Sequence, residues 1–354
     1  MNQNSSKDKT FVRAIYLDTI QTQEGLIMGI FNAAKYNAKK YYRKLVNGIL
    51  SLWGLAYPYP SYIQIEPTKL CNMHCQMCMN PYLLPQEKGN MTYENFLKII
   101  KQFPRTKTVI LQGLGEIFLN PDIFKMFTYL KENGYYVQFA TNSSLLTNEV
   151  IQTLSELEID EIRLSLDTLN PHLYKQIRGV DALDKVTENM KNLVRAINQK
   201  SLVMINMVAS QDNYEEIDDM IDFAINNNIG IVRVSWIQQK GAEEQKEFIS
   251  ERMLPTMNLE NIKKDAKKKG IKLLVNIPNK YRALNCQAIY NTLYITWDGF
   301  VTPCCHLENP KIINFGNILE TSFRKLWNGE KYKEFRKAHF DKESACVNCP
   351  HYTQ

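Results

Sequence analysis

From residue 60 onward the chain alternates short apolar or β-branched runs with longer amphipathic segments, and this alternation restricts the fold more than any other feature. The runs at 61–66, 107–112, 135–140, 160–166, 201–209 and 230–237 have the length and residue types of strands. Between them, apolar residues recur at helical spacing over 92–103, 121–132, 147–157, 182–198 and 213–227. Two of these segments carry start signals: Thr92 as an N-cap, and Asn120 as an N-cap followed by Pro121 at the first helical position. Six consecutive β/α units predict a parallel sheet, because each helix must return the chain to the edge where the next strand starts. The economical arrangement is a partial (β/α)6 barrel of the TIM type, an α/β fold with its chemistry at the C-terminal strand ends. An open doubly wound sheet is the alternative.

The alternation stops near residue 238. Residues 240–270 are Lys/Glu-rich and expected to be helical, and Ile271–Val275 is a candidate further strand. The expected division is an N-terminal extension over 1–59, a barrel over 60–280, and a small cysteine-rich α+β extension over 281–354.

Charge is unevenly placed. Residues 1–59 hold eight Lys/Arg against three Asp/Glu, whereas the whole chain has a net charge of +6, so the main body is nearly neutral. That argues against a nucleic-acid groove in the body. The basic segment includes an amphipathic helical pattern over 31–56. Tyr42, Leu45, Val46, Ile49, Leu50 and Trp53 fall on one face, and Lys39, Lys40, Arg43, Lys44 and Asn47 largely on the other. The apolar face either packs on the body or makes a peripheral membrane or peptide contact. No run of 18 or more apolar residues and no signal-peptide stretch occurs, so the chain is expected to remain cytoplasmic.

Eight cysteines in a reducing compartment point to metal ligation or catalysis rather than structural disulfides. Cys71, Cys75 and Cys78 fall within eight residues, directly after the first predicted strand. Three thiols leave one corner of a metal centre open for a ligand, whereas structural zinc and electron-transfer clusters take four protein ligands. A zinc knuckle completed by His74 is the competing reading. The CX3CX2C spacing resembles the signature of the radical SAM superfamily, in which such a motif holds a [4Fe-4S] cluster that binds S-adenosylmethionine through its free iron. Met77 stands where that superfamily usually has an aromatic residue.

The other motifs of this resemblance arrive in order. Gln112-Gly113-Leu114-Gly115-Glu116 follows the second strand and is similar to the glycine-rich loop that contacts the methionine part of the cofactor. Gly113 and Gly115 would allow close backbone approach, and Glu116 would offer an acceptor to the amino group. Asn142 matches a Thr-Asn motif after the third strand, and Ser165 and Asp167 match ribose-binding positions on the fourth. Asp167 could instead cap the turn before Asn170-Pro171. Independently of any family, strand parity puts Arg163, Ser165 and Asp167 on one face, together with Gln64, Glu66, Gln112, Gln138, Asn206, Arg233 and Ser235 on neighbouring strands. So many polar residues on an inner face imply a ligand-lined cavity rather than a filled core.

Towards the C-terminus, Thr292–Cys304 alternates and turns at Asp298-Gly299, which predicts a hairpin. The pattern Cys286, Cys304, Cys346 and Cys349 resembles the SPASM/twitch extension of the same superfamily, in a shortened form that would hold one auxiliary [4Fe-4S] cluster. A four-thiolate zinc site is the alternative. Cys305 is left over, either as a packed or spare thiol or as a hydrogen-atom donor to a substrate radical.

The resemblance implies an enzyme that reductively cleaves S-adenosylmethionine to a 5′-deoxyadenosyl radical and abstracts hydrogen from a peptide or carbohydrate-like substrate. Oxidation, cross-linking or epimerisation would follow, with a reductant such as flavodoxin or ferredoxin. A non-catalytic zinc- or cluster-binding scaffold or electron carrier is the alternative class.

Overall fold

The structure is a computed structural model that describes Leu50 and residues 53–237, 260–276 and 288–338. The chain divides into two compact units, Met1–Leu52 and Trp53–Gln354. Most of the basic segment over 31–56 lies outside the described residues.

Among the described residues of the second unit, nine strands form one sheet: β1 (Tyr62–Ile65), β2 (Thr108–Leu111), β3 (Tyr136–Thr141), β4 (Glu161–Ser165), β5 (Leu202–Ala209), β6 (Ile231–Trp236), β7 (Lys272–Asn276), β8 (Thr292–Ile295) and β9 (Val301–Thr302). Their order is β7-β6-β5-β4-β3-β2-β1-β8-β9. Every pairing is parallel except β8 with β9. The sheet is not closed, so the fold is a partial barrel. The predicted hairpin exists as β8–β9, with Tyr294 opposite Thr302. It adds to the β1 edge rather than standing apart, with Gln64 beside Tyr294 in a parallel register.

Helices connect the strands: α1 (Tyr93–Ile100), α2 (Ile123–Glu132), α3 (Asn148–Leu157), α4 (Pro171–Arg178), α5 (Leu183–Ile197), α6 (Ile217–Asn226) and α7 (Glu260–Lys268). Apolar stripes on these helices cover the sheet. In α5 the stripe is Leu183, Val186, Met190, Leu193 and Ile197, spaced by three and four residues and buried throughout. The strand residues of one parity share this core: Ile63, Ile65, Val109, Leu111, Val137, Phe139, Ile162, Leu164, Ile205, Met207, Val232 and Val234 are all fully buried. The opposite parity holds Gln64, Gln138, Arg163, Ser165, Asn206, Arg233 and Ser235, all only partly covered. The period of two therefore separates an apolar, helix-covered face from a polar inner face, as expected from the sequence.

The C-terminal part adds α8 (Ala288–Asn291), α9 (Phe323–Trp327) and α10 (Glu330–Lys337). Gln102, just after α1, ties this part to the barrel: its side chain donates to the Ile318 carbonyl at 3.0 Å and accepts from Phe323 N at 2.7 Å. Among the described residues no helix is long and apolar enough to cross a membrane.

Thr92 caps α1 as expected, its hydroxyl accepting from Asn95 N at 3.2 Å. Asn120 does something different from the predicted capping. Helix α2 begins only at Ile123, and the buried Asn120 side chain donates to the carbonyls of Pro67 (2.7 Å) and Met91 (2.9 Å) while accepting from Asp122 N (2.8 Å). It thereby closes the base of the loop that carries the three cysteines. Asn120→Ala should remove the donor to the Met91 carbonyl and leave the Pro67 carbonyl with Met91 N as its partner, at a cost of about 1–3 kcal/mol. Denaturant unfolding of the reconstituted protein checks this, and a loss below about 0.5 kcal/mol would contradict it.

Candidate active site

The predicted site residues of the barrel lie at or just beyond the C-terminal ends of β1 to β4. The end of β1 leads into Glu66 and the loop with Cys71, Cys75 and Cys78; β2 leads into Gly113–Glu116; β3 into Asn142; β4 ends on Ser165 and leads into Asp167. Parallel strands pointing the same way bring these four loops to one rim.

The cysteine loop is tethered from several sides. Glu116 N donates to Leu70 O at 2.8 Å, His74 N to Arg178 O at 3.1 Å, and Gln76 N to Ile177 O at 3.1 Å. Asn72 donates to Ser144 Oγ at 2.8 Å and accepts from Asn142 Nδ2 at 3.0 Å, so the Asn142 turn holds the loop as well. Asn80 completes the frame by donating to the carbonyls of Lys69 and Leu114 at 2.6 and 3.1 Å.

The two glycines are required by contacts inside the protein. A Cβ on Gly113 would come within 2.2 Å of Glu66 Cγ, and a Cβ on Gly115 within 2.4 and 2.5 Å of the Thr68 and Leu70 carbonyl oxygens. Their bare Cα atoms let the glycine loop press against the end of β1 and the start of the cysteine loop.

Three fully buried carboxylates organise the rim. Glu66 Oε1 accepts from Leu114 N at 3.0 Å and Tyr294 Oη at 3.2 Å, while Oε2 accepts from Trp297 N at 3.3 Å and lies 3.8 Å from Lys69 Nζ. Glu116 accepts from Thr141 Oγ1 and from Asn142 N, both at 2.7 Å. Burial pushes the carboxyls of Glu66 and Glu116 up to about 7, against the lowering effect of these bonds. Asp167 accepts from Val208 N at 2.8 Å and pairs with Arg178 at 2.6 Å; burial raises its carboxyl and Arg178 pulls it back. Glu116 and Asp167, expected at the amino group and ribose of the cofactor, are thus both engaged in the frame of the site. Ser165 stands partly open on the inner face, beside Asn206 in register.

Arg178, which the sequence motifs do not single out, joins the rim in the structure. It ends α4, and its Nη1 lies 3.8 Å from Cys75 Sγ while Nη2 holds Asp167. Its signal was present: Asn170-Pro171 is the same N-cap and first-turn pair seen at Asn120-Pro121. Here Asn170 does cap a helix, accepting from His172 N and Leu173 N.

The donor set fits an iron–sulfur cluster held by thiolates. Arg178 Nη1 lies 3.8 Å from Cys75 Sγ, and Asn80 N points at Cys78 Sγ from 3.4 Å, N–H donors of the kind that hydrogen-bond the sulfurs around a cluster. Burial raises the Cys71 thiol, so metal binding there must release its proton. In the C-terminal part, Cys304 and Cys305 are half-buried in the turn after β9. Cys286, Cys346 and Cys349 lie outside the described residues.

A family model for the radical SAM superfamily matches residues 65–224, and one for an iron–sulfur cluster-binding domain, SPASM, matches residues 286–350. The chain belongs to the radical SAM superfamily and carries a C-terminal SPASM-type cluster domain. These families imply a [4Fe-4S] cluster, S-adenosylmethionine and auxiliary iron–sulfur chemistry. Among relatives, the tungsten-containing aldehyde ferredoxin oxidoreductase cofactor-modifying protein of Pyrococcus furiosus is 26% identical over 300 residues, covering 78% of this chain and 83% of that protein. The PqqA peptide cyclase of Rhizobium meliloti is 24% identical, covering 76% of this chain and 73% of its own length. Streptococcus suis SuiB, solved with its precursor peptide SuiA, shares the fold with a TM-score of 0.66 at 18% identity, covering 98% of this chain and 81% of that one.

The packing at the glycine loop and the charge on Glu66 can each be tested. Gly115→Ala should displace the cysteine loop and destabilise the protein by about 1–3 kcal/mol, with loss of bound iron on reconstitution; full iron content and unchanged stability would contradict the packing. For Glu66, the folded value near 7 exceeds the unfolded value of about 4.3. Its stabilising contribution is complete below about pH 4 and lost as pH rises through 7, with a slope of at most ~1.4 kcal/mol per pH unit. Glu66→Gln should therefore flatten the fall in unfolding free energy between about pH 5 and 7; identical slopes in both proteins would refute the assignment.

Proposed function

We propose that this radical SAM enzyme abstracts a hydrogen atom from a peptide substrate held against the polar inner face of the barrel, and that Cys286, Cys304, Cys346 and Cys349 would hold an auxiliary cluster whose chemistry would be to take up the electron left behind. The observation that carries this reading is the row Ser165, Asn206 and Arg233. These residues lie side by side across β4, β5 and β6 and are partly open, on the face that leads up to the rim with the cysteine loop. Amide, hydroxyl and guanidinium groups suit a substrate rich in carbonyls and N–H groups. The peptide cyclase relative and the fold shared with a peptide-bound enzyme support a peptide over a carbohydrate-like molecule.

Cys71, Cys75 and Cys78 would hold the first cluster, and Cys286, Cys304, Cys346 and Cys349 the auxiliary one. When bound, the first cluster and S-adenosylmethionine supply a one-electron cleavage that yields methionine and a hydrogen-abstracting 5′-deoxyadenosyl radical. The protein's own part is positioning. Arg178 lies against Cys75 Sγ, Asn142 and Asn80 hold the loop in place, and Glu116 fixes the glycine loop against the end of β3. The apolar layer beneath the helices shields the opposite face of the sheet from water, so the open side of the rim is where substrate enters.

The test is anaerobic reconstitution with iron and sulfide, then incubation with S-adenosylmethionine, a strong reductant and short peptides encoded beside the gene. The reading predicts about eight irons per chain, release of 5′-deoxyadenosine, and a peptide lacking two hydrogens. A peptide of unchanged mass with an inverted stereocentre would replace oxidation by epimerisation. Cleavage stimulated by sugars and by no peptide would refute the peptide assignment.

A further inference from the structure

Glu66 belongs to neither the cysteine motif nor the glycine loop, yet it binds both the barrel and the C-terminal hairpin. Towards the barrel it accepts from Leu114 N, inside the glycine loop, and its Cγ occupies the space that a side chain on Gly113 would need. Towards the C-terminal domain, its backbone N donates to Ile295 O at 2.8 Å, and its carboxylate accepts from Tyr294 Oη and Trp297 N. The hairpin reaches further along the same loop. The Trp297 ring covers Gly89, where a Cβ would come within 2.4 Å of it, and its indole N–H donates to Glu87 O at 3.2 Å. Tyr294 in turn is buried, and its burial together with the charges of Glu66, Glu308 and Cys305 raises its phenol well above the ordinary value. A single residue thus connects the loop that faces the cofactor with the hairpin that leads directly to Cys304.

A carboxylate with no exposed surface has little freedom to repair a lost bond, because no water can enter to replace the donor. Removing the Tyr294 hydroxyl would leave Glu66 Oε1 with Leu114 N as its hydrogen-bond donor, so that any adjustment of the carboxylate would pass to the Leu114 amide and the glycine loop. We propose that Glu66 is a positioning residue through which the C-terminal cluster hairpin sets the cofactor-binding glycine loop, so that a change at Tyr294 alters the affinity for S-adenosylmethionine. The proposal rests on the cofactor site alone and not on the peptide assignment above.

The experiment measures binding of radiolabelled S-adenosylmethionine to the reconstituted full-length enzyme by equilibrium dialysis, with no substrate present. Four variants are compared with the unaltered chain: Tyr294→Phe, Glu66→Gln, the double variant, and Thr302→Val as a control on the same hairpin, opposite Tyr294 in register. Iron content monitors folding. Tyr294→Phe and Glu66→Gln should each weaken binding about threefold or more, and the double variant should be no weaker than Glu66→Gln, as expected for residues in one network. Thr302→Val should bind as the unaltered chain does. Unchanged affinity in Tyr294→Phe, losses that multiply in the double variant, or an equal loss in Thr302→Val would each overturn the proposal. Should Glu66→Gln lose iron, Tyr294→Phe against Thr302→Val decides alone; iron loss in Tyr294→Phe also overturns it, since the hydroxyl would then serve folding.

Discussion

Burying a carboxylate costs free energy unless its oxygens are satisfied, and this chain buries three of them along one rim. Each sits just beyond the C-terminal end of a strand and binds a backbone amide from the next strand or loop along the sheet: Glu66 to Leu114, Glu116 to Asn142, Asp167 to Val208. A parallel sheet that stays open has no closing strand pair to fix its loops. These carboxylates supply that constraint. Because they are dehydrated, the bonds have few alternatives, and the loops that carry the cysteines, the glycines and Asn142 are held relative to one another.

The C-terminal domain enters the same scheme through the edge of the sheet. Strand β8 continues the parallel ladder from β1, so the hairpin that precedes Cys304 is part of the barrel sheet rather than an attached module. Tyr294 and Trp297 then reach across to Glu66 and to the loop at Gly89. The hairpin that precedes Cys304 therefore has a fixed relation to the end of β1, from which the loop bearing Cys71, Cys75 and Cys78 starts.

Much of this was legible in the residues. The six strands and five of the helices follow from apolar spacing, and the inner polar face follows from a period of two, because helix burial selects one parity so sharply. Helix α4 was not legible, since its eight residues are mostly polar and its start resembled a turn; with it went Arg178, whose role depends on Asp167 and Cys75 arriving from distant loops. Glu66 was recognised as inward-facing, but its partners 48 and 228 residues away are set by tertiary pairing that no local pattern encodes. Asn120 shows the converse: its dipeptide signal was a helix start, and the loop it closes recruited the side chain instead.

On this account the loop bearing Cys71, Cys75 and Cys78 would hold a cluster with one iron open to the amino acid end of S-adenosylmethionine. The most direct measurement is electron-nuclear double resonance on the reduced, reconstituted protein with cofactor isotopically labelled at its amino nitrogen and carboxylate oxygen. Resolved couplings from both labels, lost when Cys75 is replaced by alanine, are the predicted result. Absence of coupling in a protein with a full complement of iron would contradict the account.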